Sequence, residues 1–158
     1  MANIIYLSIS GERQGTISSG CGTEKSIGNK WQKGHENEIF VYEASNIATS
    51  EDNLSLHPFT IRKPIDKATP LLLQALNDKE SLKCYFNFFR VSPTGGNENY
   101  FKVMLEKARV VEINYLYPSS LTHNDLQPQE SISFKFATMT FEHITANTSA
   151  WVSWQGEY

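Results

Sequence analysis

No stretch of the chain is both long enough and apolar enough to cross a bilayer as a helix, so membrane insertion by that route is not expected. The first ten residues lack the basic start and long apolar run of a secretory signal peptide. Ile4, Ile5, Leu7 and Ile9 read instead as a first strand, in a chain made and folded in a cytoplasm. Excess positive charge is also missing. The formal net charge is −3 at pH 7, which argues against nucleic acid as the main partner, because phosphate binding needs a basic face. Cysteine is scarce: Cys21 and Cys84 are the only two. In a reducing compartment they read as free thiols, with Cys84 buried in a strand; a disulfide after export stays open.

Motifs that carry chemistry are missing as well. His35-Glu36 starts like a zinc-protease motif, but the run His35-Glu36-Asn37-Glu38-Ile39 has no second histidine. Gly20-Cys21-Gly22-Thr23-Glu24-Lys25-Ser26 partly resembles a phosphate loop, yet it lacks the Gly-Lys-Ser ending, and Lys25 stands where a dinucleotide fingerprint needs its third glycine. The four histidines, His35, His57, His123 and His143, show no metal-ligand spacing. No cofactor and no metal is expected, and these absences point toward binding or assembly rather than catalysis.

What is present is alternation of period two over much of the chain, the mark of strands with one face on a core. Ile5, Leu7 and Ile9 oppose Tyr6 and Ser8. Cys84, Phe86 and Phe88 alternate with Tyr85, Asn87 and Phe89, so that strand is covered on both faces. Phe101, Val103 and Leu105 follow, then Val111, Ile113, Tyr115 and Tyr117. Between Ser131 and Ile144 the parity changes: Ile132, Phe134 and Phe136 are even, Met139 and Phe141 odd. A β-bulge near Ala137 and Thr138 would restore the facing; a strand buried on both faces would also fit.

Ser92-Pro93-Thr94-Gly95-Gly96 reads as a hairpin loop, and Tyr117 to Gln129 as a long surface loop. One helix is expected, with Thr69 as its cap, Pro70 in its first turn, Leu72, Ala75 and Leu76 on one face, and its end at Asn77-Asp78. Ser18 to Gly34 and Ala44 to His57 look weakly anchored. The chain has the size of one domain, residues 1–158. Many strands with one helix indicate a mainly β fold, a barrel or sandwich plugged by that helix.

Several segments together resemble the Hcp family, the haemolysin-coregulated proteins of the type VI secretion inner tube. They are Met1-Ala2-Asn3-Ile4-Ile5-Tyr6-Leu7, Gly20 to Glu24, Ser26 to Glu36, Glu38 to Glu43, Lys63-Pro64-Ile65-Asp66-Lys67-Ala68-Thr69-Pro70, Ser92 to Gly96, Ser120-Leu121-Thr122 and Gln127 to Ile132. The resemblance covers nearly the whole chain; Ala48 to Arg62 and the tail after Thr140 fit it less well.

The resemblance implies a small β-barrel of two sheets with one short α-helix. It implies a homohexamer whose rings stack, a sheath and a spike-tip protein as partners, and effector proteins carried in the channel. It further implies a bacterial cytoplasmic protein secreted without a cleaved signal peptide, and no fused effector domain before Tyr158. The extended loop that reaches the neighbouring subunit corresponds to Ala44, Ser45, Asn46, Ile47, Ala48, Thr49, Ser50, Glu51, Asp52, Asn53, Leu54 and Ser55. Val41, Tyr42, Glu43 and Ser45 are channel-lining candidates. Asp66, Lys67, Thr69 and Pro70 form the motif before the helix, with Asp66 and Lys67 either fixing the turn into it, the role favoured, or pairing across subunits.

Two rival readings exist. A monomeric β-sandwich module for sugar or peptide would use Trp31, Tyr42, Tyr115, Trp151 and Trp154 as stacking surfaces. An enzyme would draw the scattered histidines and carboxylates together.

Overall fold

The computed structural model describes residues 3–122 and 124–154. Met1, Ala2, His123 and the end of the chain at Tyr158, all named above, lie outside the described residues. The alternating segments form strands: β1 (Asn3–Gly11), β2 (Gly15–Thr16), β3 (Ile39–Val41), β4 (Glu43–Ser45), β5 (Ala48–Ser50), β6 (Leu54–Leu56), β7 (Phe59–Pro64), β8 (Leu82–Val91), β9 (Asn97–Leu116), β10 (Gln129–Lys135), β11 (Thr138–His143) and β12 (Thr148–Ser153). Two helices interrupt them, the four-residue α1 (Glu24–Ile27) and the eleven-residue α2 (Ala68–Asp78).

Ten strands join one sheet whose main path runs β2-β1-β8-β9-β10-β7-β4. The mainly β expectation holds. The expected two-sheet barrel does not appear as a closed ladder, since the path begins at β2 and ends at β4. The segment 39–45 spans the gap by changing partners: β3 pairs with β1 and β4 with β7. At the change, Tyr42 N–H donates to the Arg62 carbonyl at 2.8 Å.

The core lies on the inner face of this bent sheet. Leu7, Ile9, Phe59, Ile61, Cys84, Phe86, Leu105, Ile132, Phe134 and Phe136 are buried there. Helix α2 closes the core with Ala68, Leu72 and Ala75, while Leu76 packs against its rim. A smaller apolar cluster, Ile4, Tyr6, Ile27 and Phe40, lies apart from this core. That cluster is where α1 docks, which corrects the view of Ser18 to Gly34 as weakly held. Ser18, Cys21 and Ile27 are buried, and Gly22 N–H donates to the Glu36 carbonyl at 3.0 Å. A Cβ on Gly22 would sit 2.0 Å from the His35 carbonyl oxygen, so this backbone approach needs glycine.

The parity change after Phe136 has its origin in the partner strand. Registers of β10 and β11 against β9 run Lys135↔Arg109 and Thr138↔Glu106, continuous across the break, so Ala137 stands opposite Lys107. Lys107 is left-handed, φ 49°, and exposed. On β9 the buried set shifts there from Val103 and Leu105 to Ala108 and Val110. Both strands turn over at one level. The expected bulge near Ala137 and Thr138 is thus a shared kink, with the unusual backbone at Lys107.

Candidate functional site

The motif before α2 builds a buried polar centre. Lys63, at the end of β7, is fully buried. Its Nζ lies 2.9 Å from Asp66 Oδ1 and 3.4 Å from Glu130 Oε2, and it donates to the Pro64 carbonyl at 3.0 Å. Asp66 Oδ1 also accepts from Ala68 N–H at 2.9 Å, and Asp66 N–H donates to Thr69 Oγ1 at 3.0 Å. The carboxylate thus takes up the N–H of the first residue of α2 from two positions ahead of it, with Lys67 at the N-cap position between them. Asp66 therefore caps the helix, and Thr69, expected to do so, lies inside its first turn and reaches back. Thr69 Oγ1 in turn donates to Glu130 Oε2. Pro70 follows where no N–H is needed.

Two carboxylates thus share one ammonium out of water. Burial pushes the Asp66 carboxyl above the usual range, and the nearby Lys63 offsets only part of that. Burial likewise raises Glu130 against Lys63 and the Thr69 hydrogen bond, with Asp66 adding repulsion. Across the ladder, Tyr115 is the register partner of Glu130, and burial and then Glu130 raise its phenol. Lys67 N–H donates to Ser26 Oγ at 2.8 Å, and Lys67 Nζ to the Ser19 carbonyl at 3.1 Å. The motif therefore ties α2 to the α1 segment, a local structural role for Asp66 and Lys67.

The segment expected to be an extended loop contains real structure. Ala44 and Ser45 belong to β4 on β7, and β5 pairs with β6 in a separate two-stranded hairpin. The base of the hairpin is fastened: His57 N–H donates to the Ile47 carbonyl at 3.1 Å, and Leu56 is buried. Asn46 and Leu54 are half-buried, whereas Ala48, Thr49, Ser50, Glu51, Asp52, Asn53 and Ser55 are all exposed. Nothing else in the described chain pairs with either strand.

Of the four channel-lining candidates, Val41 is removed, because its side chain is 2% exposed and packs in the core. Tyr42 is half-buried and packs edge to face on Phe40 of the smaller cluster, while Glu43 and Ser45 are exposed. Arg62 pairs with Glu43 at 3.0 Å.

The polar residues of the rival readings stay scattered. His35 stacks on Tyr6 with ring centroids 3.9 Å apart and lies 3.0 Å from Glu38. Burial and then Glu38 push the Tyr6 phenol up to about 12. His143 packs instead against Tyr100 and Phe101. Trp31 and Tyr42 share one shallow groove, Trp154 packs on Phe136, and Tyr115 stacks on Tyr117. Among the described residues no group of three or more metal-ligating side chains converges. Cys21 and Cys84 are free and buried, and burial, then Asp66, raises the Cys21 thiol to about 12. Sequence reasoning names Lys63 and Glu130 only inside two separate segments, Lys63 to Pro70 and Gln127 to Ile132, and not as a buried pair.

A bent β sheet, a capped helix and a hairpin fastened at its base define a mainly β protein. Residues 6–143 match the family described as type VI secretion system effector, Hcp, and the chain belongs to that family of type VI secretion tube proteins. A crystal structure of an Hcp protein superposes with a TM-score of 0.92 at 32% identity, covering 99% of this chain and 100% of that one. The secreted protein Hcp3 from Pseudomonas aeruginosa gives 0.89 at 33% identity, covering 98% and 100%. The major exported protein of Pseudomonas aeruginosa is 34% identical over 170 aligned residues, 98% of this chain and 97% of that one. Protein YhhZ of Escherichia coli K12 is 38% identical over 149 residues, 94% of this chain; the chain spans only 37% of that relative's length.

Proposed function

We propose that the chain is a tube subunit that closes with five further copies into a ring. The rings stack inside a contractile sheath behind a spike-tip protein, and effector proteins travel in the channel. The protein is made in a bacterial cytoplasm and exported without a cleaved signal peptide. Tyr42, Glu43 and Ser45 contribute to the channel wall.

The observation that carries this reading is the β5–β6 hairpin. An isolated two-stranded ladder is at best marginally stable in water; here β6 packs Leu54 and Leu56 on the core, but every residue of its partner β5 is exposed. A second copy supplies the missing cover. Family membership and the match over whole chains support the same reading. A head-to-tail contact of this kind closes into a ring when its rotation permits.

Sedimentation velocity over a concentration series, with negative-stain imaging, tests it. Annular particles of about six chain masses are expected. A lone globule at every concentration overturns the reading.

A further inference from the structure

Two hollows adjoin beside the change of strand partner at Tyr42. One, of about 400 Å³, is lined by Tyr42, Arg62, Asp125, Gln127 and Gln129. The other, of about 500 Å³, is lined by Asn29, Trp31, Gln32, Phe40 and Tyr42. Lys30, Tyr42 and Gln127 border both, so the two form one groove. Its aromatic half opens to solvent, with Trp31 43% exposed. At its other end Gln129, the first residue of β10, is only 6% exposed, yet its side-chain amide forms no hydrogen bond among the described residues. Two donors and an acceptor are costly to leave unmet in a buried position. The amide borders the hollow and is not sealed off as Asp66 Oδ2 is, so a bound molecule can reach it.

Charge narrows the class of occupant. Lys30 Nζ donates to Gln127 Oε1, and Arg62 pairs with Glu43 at 3.0 Å. Both cations at the groove are thus engaged, while Asp125 brings a carboxylate to its edge. A phosphate or carboxylate ligand gains little there. What the groove offers is aromatic surface from Trp31 and Tyr42, surrounded by the side-chain amides of Asn29, Gln32, Gln127 and Gln129. An amide both donates and accepts, as a hydroxyl does. A saturated sugar ring carries several hydroxyls and an apolar C–H face that lies flat on an aromatic ring, the mixture such a pocket matches.

We infer that this groove binds a neutral carbohydrate, with a sugar ring against Trp31 and Tyr42 and its hydroxyls on the amides of Gln127 and Gln129. Asp125 accepts from a further hydroxyl at the edge. Every lining residue comes from one chain, so the site forms with or without a ring of copies.

The test titrates the full chain with cellotriose and with chitotriose, followed by calorimetry and by the NMR signals of the Trp31 indole N–H and the Gln129 side-chain amide. At least one trimer is expected to bind with a Kd of about 1 mM or tighter and to shift both signals. Trp31→Ala, at an exposed position, is expected to weaken binding about tenfold. Gln129→Leu keeps the bulk and removes the amide; it is expected to weaken binding while circular dichroism shows the fold retained. Inorganic phosphate and trialanine are expected to shift neither signal. The inference is overturned if neither trimer moves these signals at about 10 mM, if Trp31→Ala binds as the unaltered chain does, or if phosphate or the peptide takes the groove instead.

Discussion

Lys63 Nζ lies 2.9 Å from Asp66 Oδ1, and both side chains are closed off from solvent. The ammonium is thereby fixed to the residue that caps α2, and Glu130 on β10 completes the group from a strand far along the chain. Breaking such a buried pair costs more than making it gains, because the remaining charge has no water. Lys63→Met is expected to destabilise the fold by about 3–5 kcal/mol at pH 7. The loss should shrink at pH 5, as the abandoned carboxyls take up protons. Urea denaturation at the two pH values measures both quantities; an equal loss at each would contradict the account.

Two buried carboxylates act on stability with opposite sign. Glu130 is raised above its ordinary value, chiefly by burial. Its contribution is complete below the ordinary carboxylate range and is lost as pH rises through the raised value. At Glu80 burial pushes the same way, but hydrogen bonds from Gln14 and Arg13 outweigh it and hold the group below its ordinary value. Glu80 Oε2 accepts from Arg13 N–H and Gln14 N–H, each at 3.0 Å. Its stability is present above the ordinary value and disappears as pH falls through the lowered one. Glu130→Gln should therefore flatten the decline in melting temperature above about pH 5, and Glu80→Gln the decline below about pH 4. Thermal melts from pH 3 to pH 9 would separate the two; a shared limb would refute the assignment.

Gly22 holds two carbonyl groups close to its α carbon: a methyl there would meet the Glu38 oxygen at 2.8 Å besides that of His35. Backbone atoms cannot swing aside as a flexible side chain can. Gly22→Ala is expected to cost about 2–4 kcal/mol and to loosen residues 20–38 before the rest of the sheet. Hydrogen exchange localises the effect; unchanged protection of that segment would count against it.

Removing Ala48 to Asn53 should abolish or weaken assembly while the sheet keeps its circular-dichroism spectrum and melting temperature within a few degrees. Leu56 and Phe59 remain to hold the core. An assembled mass equal to that of the full-length protein would deny the hairpin its role.

The strands were legible because alternation is a direct record of one face meeting a core. Leu7, Phe86 and Ile132 stand where that pattern put them. Alternation does not say which face turns inward next to a strand that changes partners, and Val41 was misplaced for that reason. The parity change between Phe136 and Met139 was readable, but its cause was not, since a lysine in left-handed backbone leaves no mark in composition. Ser18 to Gly34 looked loose because its anchors, Ile17, Cys21 and Ile27, are too irregularly spaced to form a stripe. The Lys63–Glu130 pair was hidden by the general rule that charged residues belong at the surface. The capping role moved from Thr69 to Asp66 because both can accept from a helix N–H, and only the fold fixes where the first turn begins.

The twenty-residue β9 gives one half of its length to β8 and β11 and the other to β10, with Lys107 at the elbow. A single piece of backbone is thereby common property of both walls. Loss of either half therefore strains the strand that the other depends on, which favours unfolding by heat or force as one cooperative unit.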